Sequence, residues 1–566
     1  MSEEKLWYKY WPENVPKTIE IPDNISVDDM LKEQAKNNPD YPALAFHGKN
    51  WTYGWLNDMV NRFAKGLQDM GLEKGDRVCI NLPNIPQYVI AFFGVMRAGG
   101  VVSPIVPLQK AAEIQHQIND AEAKMLVIMD AFYKEEVKKL VEQNKIPTVK
   151  KIILTGLAEF LGKAIGIIGA LLGKIPRMWF WPKGPLFARF QDLLKSDPNP
   201  KEVKFDTKKD LAVLQYTGGT TGLPKGAMLS QYNIVSNCYQ CASWMPGVEP
   251  GKEATVCALP LSHIFGLTTM MTLAVKIGAK MILIPNPRDI PGLMNEIAAE
   301  KGTLFAGVNA LFNRINNHPK VKTFDLSSVK YALSGAGPLA EEVQIKFESL
   351  TGAKIVEGYG LTEASPVTHA NPLEGRRKIG TVGFAFPNTD CKIINPDTLE
   401  EIPQPGKEDD ISTHGEICIK GPQVMLGYYK RPDATKNTII KDGWLRTGDI
   451  GYIDDEGYLH IKDRLKDMIK YKGHSVYPRE VEDLLYMYEP INEVGVIGVK
   501  TKDGEETIKA VVSLKPEYVG KITAEDIKAW AKENIAGYKW PRIVEIKDEI
   551  PTTMVGKVLR RKLREE

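Results

Sequence analysis

Cysteine is scarce, at 6 of 566 residues. That is too few to staple a chain of this length, so a disulfide scaffold is excluded and a reducing compartment is expected. Cys238 and Cys241 form a lone C-x-x-C. With no second pair and no nearby histidine, a four-ligand zinc set is lacking, and the two read as buried thiols on a helix. Neither sign of charge is in excess: 73 basic against 71 acidic side chains leave +2. A nucleic-acid protein would carry a basic surplus on some face, so no nucleic-acid partner is expected. Long hydrophobic runs are also missing. The wholly apolar stretch Ala164 to Gly173 is only ten residues, against about 20 for a membrane-spanning helix. Met1-Ser2-Glu3-Glu4-Lys5 opens with charges, so no secretory leader is expected and the cytoplasm is the expected location. Every Gly-Lys pair is followed by something other than Ser or Thr, which removes a Walker A loop and disfavours a P-loop NTPase.

What is present argues for an α/β protein of several units. The length exceeds what one core serves, while 43% hydrophobic and 25% charged residues are ordinary for a globular chain. Apolar strands recur at 77–82, 101–105, 124–129, 151–154, 211–216, 255–259, 281–284, 303–307, 330–333 and 354–357. Helical spacers separate most of them, which predicts doubly wound parallel sheets with ligands at the carboxyl ends of the strands. From about 377 to 463 the pattern shortens and is broken by Gly, Pro and Asp, predicting a small antiparallel barrel or sheet. The last hundred residues read as a separate α+β unit with a helix from about Thr523 to Ile535.

Three glycine motifs fall where strands run out. Thr217-Gly218-Gly219-Thr220-Thr221-Gly222 with Lys225 follows the first. Its glycines let the backbone approach a polyphosphate, its threonines add hydroxyl donors and Lys225 adds a positive charge. Gly335-Ala336-Gly337 and Glu357-Gly358-Tyr359-Gly360-Leu361-Thr362-Glu363 end two later strands, so all three are able to converge on one crevice.

These motifs, with Trp444 to Asp449, Asp463 to Ile469 and Pro551 to Arg561 in the same order downstream, resemble the adenylate-forming superfamily of acyl-CoA synthetases, luciferases and peptide-synthetase adenylation domains. The resemblance runs from about Val27 to Leu563 and is nearest to fatty-acid–CoA ligases of the bacterial long-chain type. It implies a large N-terminal unit over 1–465, with the small barrel near 377–463, hinged at Lys466 to a mobile C-terminal unit over 466–566. It further implies ATP with Mg²⁺, and CoA as co-substrate of a fatty acid. Tyr359 would stack on adenine, Glu363 would help hold Mg²⁺, and Asp449 would accept from both ribose hydroxyls. Arg464 would contact ribose or phosphate, and His263 would line the acyl and α-phosphate site. Lys557 would neutralise charge as a carboxylate attacks the α-phosphate, with Lys470 and Gly473 near the CoA-binding face. Arg560, Arg561 and Lys562 are expected to be surface or anion-steering charges. A stand-alone adenylating enzyme that loads a carrier protein is an alternative, and chain length stays open because Leu267 stands where some long-chain relatives carry tryptophan.

The stretch Gly156 to Phe187 fits none of these motifs. Basic residues flank its apolar centre and Trp179-Phe180-Trp181 follows it, a composition that suits either peripheral contact with an anionic membrane or a buried hairpin.

Overall fold

The computed structural model describes residues 5–161, 181–217, 224–471, 474–501, 506–552 and 558–565. Two large sheets dominate. One has nine strands, in the order Phe384–Ala385, Val367–Ala370, Lys354–Gly360, Tyr331–Ser334, Leu304–Gly307, Ala254–Cys257, Lys280–Leu283, Pro42–Phe46 and Lys49–Thr52. The other has seven: Phe187–Arg189, Lys151–Thr155, Met125–Met129, Arg77–Asn81, Val101–Pro104, Leu211–Thr217 and Lys225–Ser230. The interior pairs are parallel, as the helical spacers predict. The sheets are not parallel throughout, because short hairpins turn the chain back at their margins: 49–52, 367–370, 384–385 and 225–230 all run antiparallel to their neighbours.

The helix Pro86–Arg97 locks the two sheets together. All of its residues are buried, which an amphipathic surface helix would not be; a helix apolar on every side belongs in the middle of a core. Its one charge, Arg97, is neutralised by Asp28 at 2.8 Å. Asp28 sits on the helix Val27–Asn37, which opens with the capping box that Ser26 and Asp29 predict.

A smaller antiparallel sheet is built from Asp390–Ile394, Gly415–Lys420, Trp444–Ile453, Ile439–Ile440 and Leu459–Arg464. Beyond it, Ile491–Lys500, Glu506–Leu514 and Ile543–Ile546 form a three-stranded sheet. The helices Pro478–Tyr486 and Ala524–Asn534 contribute Val481 and Ile527 to its own apolar core. Cys238 and Cys241 are buried on the helix Gln231–Ser243, where burial holds both thiols above their ordinary range. Among the described residues, no helix is long and apolar enough to cross a membrane.

Candidate functional site

The seven-stranded sheet supplies one side of the site. Thr217 and Lys225 face each other across the antiparallel pair that closes its edge, so the glycine loop between them begins and ends at one point; Gly218, Gly219, Thr220, Thr221 and Gly222 lie outside the described residues. The Gly427 carbonyl accepts from the Met228 N–H at 2.9 Å, and Tyr429 donates to the Gly226 carbonyl at 2.8 Å. The segment 425–429 is thereby laid alongside Lys225–Ser230. This brings Lys225 Nζ to 5.3 Å from the centre of the Tyr428 ring. The Tyr428 hydroxyl donates to Glu363 Oε1 at 2.5 Å. Thr362 and Glu363 open the one-turn helix Thr362–Ala364, and the Glu363 carbonyl accepts from the Met425 N–H at 2.8 Å.

The nine-stranded sheet, which carries Tyr359, and the smaller antiparallel sheet, which carries Asp449 and Arg464, supply the other wall. Asp449 and Arg464 sit directly opposite each other on neighbouring strands, and Arg464 Nε lies 3.1 Å from Asp449 Oδ1. The second carboxylate oxygen accepts from the Tyr359 hydroxyl at 2.6 Å. Burial, reinforced by the charge of Asp449, holds the Tyr359 phenol well above its usual range, so it stays a donor. Gly360 beside Tyr359 is sterically required, since a Cβ there would stand 2.3 Å from the Pro366 carbonyl oxygen, whereas one on Gly358 would stand 2.8 Å from the end of the Leu333 side chain, which is able to move aside. Gly335, Ala336 and Gly337 follow the strand Tyr331–Ser334. Ala336 takes the left-handed conformation at φ +64°, and a Cβ on Gly335 would come within 2.9 Å of the Phe265 ring.

Glu357 points differently from its neighbours. It is buried, accepts from the Leu339 N–H at 3.2 Å and faces Arg479 at 3.5 Å. Burial pushes its carboxyl up to about 7 although Arg479 opposes the shift. A carboxyl raised in the fold contributes stability that is fully present below its unfolded value near 4.3 and is lost as pH rises through the folded value near 7. Wild type is therefore expected to lose about 3 kcal/mol relative to Glu357→Gln between pH 4 and pH 8. Urea unfolding of both proteins at the two ends of that range checks this; a constant difference rejects it.

His263 caps the short helix Ile264–Gly266, its Nδ1 accepting from the Phe265 N–H at 3.3 Å. Burial lowers the imidazole to about 4, so near neutral pH it is uncharged. With Nδ1 an acceptor, the proton sits on Nε2, and the ring presents an N–H donor in place of a base.

At the C-terminal unit, Lys470 lies exposed on the strand Ile469–Tyr471, its backbone N–H donating to Glu506 at 2.7 Å. Gly473 and Lys557 lie outside the described residues. The expectation that Arg560 is a surface or steering charge is corrected. Its side chain is only 15% exposed and is held by Asp463 at 3.0 Å, Asp467 at 3.4 Å and Glu482 at 2.7 Å.

Three residues that sequence reasoning did not single out touch this constellation. Tyr428 joins Lys225 to Glu363, Arg479 answers Glu357, and Asn84 holds the loop before His263. Each acts on a partner from a distant part of the chain, and no local spacing announces it.

A family model described as AMP-binding enzyme matches residues 31–429, and one described as AMP-binding enzyme C-terminal domain matches 480–557. A long-chain-fatty-acid–CoA ligase of Bacillus subtilis is 40% identical over 568 residues, covering 100% of this chain and 99% of its own length. One of an Escherichia coli O6:H1 strain is 40% identical, covering 99% and 98%. Among solved structures, ATP-bound MatB from Rhodopseudomonas palustris superposes with a TM-score of 0.80 at 27% identity, over 96% of this chain and 99% of that one. The glycine-rich strand ends, the Tyr359–Asp449–Arg464 cluster and these matches over the whole length agree, and the chain belongs to the AMP-binding enzyme family.

Proposed function

We propose that the protein is an ATP-dependent, AMP-forming fatty-acid–CoA ligase. A fatty carboxylate attacks the α-phosphate of ATP to give acyl-AMP and pyrophosphate; the CoA thiol then attacks the acyl carbonyl and AMP leaves. The observation that carries this is the 40% identity, end to end, with ligases named for long-chain fatty acids.

In this reading the Thr217–Lys225 loop, with Gly335 to Gly337, cradles the phosphates. Tyr359 stacks on adenine between Gly358 and Gly360, Asp449 takes the ribose hydroxyls, and Arg464 braces that carboxylate. His263 offers its Nε2–H to the reacting oxygens, and Lys470 with Gly473 serves CoA. Among the described residues there is no group of three or more His, Cys, Asp or Glu able to hold a metal. Glu363 is the residue that would hold Mg²⁺, which suits a small hard cation that takes most of its ligands from substrate and water. The ion's contribution would be to neutralise the polyphosphate.

The deciding measurement is pyrophosphate release across saturated acids from acetate to oleate, with the thioester product identified. Release that climbs with chain length and yields acyl-CoA is expected. Acyl transfer to a carrier protein with none to CoA would favour the stand-alone adenylating enzyme. Peripheral contact with anionic membrane through Gly156 to Phe187 belongs to the same proposal, since the substrate partitions into lipid. The core of that segment, residues 162–180, lies outside the described residues. Two of its flanking cations fold back, Lys151 onto the Pro185 carbonyl at 2.6 Å and Arg189 over the Trp181 ring. Unchanged liposome co-sedimentation after replacing the segment with a polar linker would reject membrane contact.

A further inference from the structure

The loop Ala258 to Ser262 carries His263, and what fixes it comes from the other sheet. After Cys257 the strand Ala254–Cys257 ends, and the chain turns away among buried residues. The Cys257 carbonyl still accepts from the Ile284 N–H at 3.2 Å, but the Leu259 carbonyl and the Leu261 N–H lie past the last strand pair, and buried backbone groups left unpaired are costly. Asn84 supplies the partners. It is 5% exposed and lies in the turn between the strand Arg77–Asn81 and the fully buried helix Pro86–Arg97. Its Nδ2 donates to the carbonyls of Cys257 and Leu259, each at 2.8 Å, and its Oδ1 accepts from the Leu261 N–H at 2.9 Å. One amide thus satisfies three groups on both sides of Pro260, a pattern only Asn or Gln offers at one position. Tyr88, in the first turn of the helix that follows Asn84, donates to the Leu261 carbonyl at 2.9 Å, and Gln215 donates to the Ser262 carbonyl at 3.1 Å. From the far side Gly266 closes the loop: a Cβ there would stand 2.4 Å from the Pro260 carbonyl oxygen. The loop has no room to shift without breaking one of these contacts.

We propose that Asn84 is the positioning residue for His263. It clamps the Cys257–Leu261 backbone from the opposite sheet, and so fixes where the imidazole directs its Nε2–H in the adenylation step. The inference rests on the role given above to His263. It also ties a histidine at the end of one sheet to the turn that follows a strand of the other. Asn84 does not touch substrate in this assignment; it acts through the loop.

The test is a double-mutant cycle on acyl-AMP formation, measured as pyrophosphate exchange, using Asn84→Ala, His263→Ala and the pair. Asn84→Ala is expected to lower kcat for adenylation on the order of 10-fold to 100-fold with KM for ATP little changed, because the phosphate loop lies on other strands. Thioester formation from pre-made acyl-AMP is expected to stay near wild type. The double variant is expected to be no worse than His263→Ala alone, since a positioning residue has nothing left to position. Losses that multiply, or an equal fall in both half-reactions, overturn the inference and leave the role of His263 standing. A silent His263→Ala removes that role and this inference with it. If Asn84→Ala does not fold, Tyr88→Phe, which deletes the single hydroxyl that the helix donates to the same loop, takes its place. It is expected to show a smaller loss in kcat that again vanishes in the His263→Ala background; a loss that persists there overturns the inference.

Discussion

Lys557→Ala is expected to cut acyl-AMP formation by about 10²-fold or more while thioester formation from supplied acyl-AMP continues close to its normal rate. The reason lies in the charges of the first half-reaction. A carboxylate must approach a phosphate that is already anionic, and a preorganised cation between them lowers that barrier only while the two converge. Once acyl-AMP exists, the next nucleophile attacks a neutral carbonyl and the lysine has no such task. Lys557 itself lies outside the described residues, but its frame is defined. Thr552 and Val558 form an antiparallel bridge on either side of it, and the Leu559 N–H donates to the Pro551 carbonyl at 2.8 Å. The helix Arg560–Glu565 follows directly. Separate assays of the two half-reactions decide the matter. Equal losses in both would show that the substitution damages the fold or the binding of nucleotide and that the lysine has no step of its own.

The parts of this architecture that sequence reveals are those that depend on local chemistry. Alternation of apolar strands and helical spacers gives the parallel sheets, Ser26 with Asp29 gives a capped helix, and Pro86 followed by Gly99-Gly100 brackets the buried helix Pro86–Arg97. Glycine motifs are legible for the same reason. The crowding that excludes a side chain at Gly360, where the Pro366 carbonyl lies 2.3 Å from the would-be Cβ, acts across a few residues. What stays hidden is pairing over long separations. Tyr428 reaches Glu363 across 65 positions, Asn84 reaches Leu261 across 177, and Arg560 reaches Asp463 across 97. A residue in a basic run such as Arg560-Arg561-Lys562 looks like a solvated charge until the fold brings carboxylates to it, which is why Arg560 reads wrongly from sequence. Antiparallel edge strands such as 384–385 are missed for a related reason, since two residues carry no period.

Arg560→Ala is expected to destabilise the attachment of the C-terminal unit by about 3–5 kcal/mol, because removing one member of a buried charge network strands the others. The guanidinium is the common partner of three carboxylates. Asp463 ends the antiparallel sheet, Asp467 follows the turn at Lys466, and Glu482 lies on the helix Pro478–Tyr486. Burial works against the charge of Arg560, yet Glu482, Asp463 and Asp467 outweigh it and hold the group above its usual range. Glu482 shows the reverse balance: burial pushes its carboxyl up, and Arg560 is the first of the groups restraining that rise. Without Arg560 the folded-state pKa of Glu482 climbs further above its unfolded value. A carboxyl raised in this way contributes stability below its unfolded pKa, near 4.3, and loses it as pH rises through the folded value. The deficit of the variant is therefore largest at pH 8 and shrinks as pH falls toward 5. Asp467 keeps a second cation, Arg564 at 3.0 Å, so its share of the loss is smaller. Arg560→Lys keeps the charge but gives up the fork that spans Glu482 and Asp463 together, and is expected to recover less than half of the loss. Urea unfolding followed by tryptophan fluorescence, run at pH 8 and pH 5 for both variants, reads the result. A deficit below about 1 kcal/mol that does not change with pH would place Arg560 back among the surface charges.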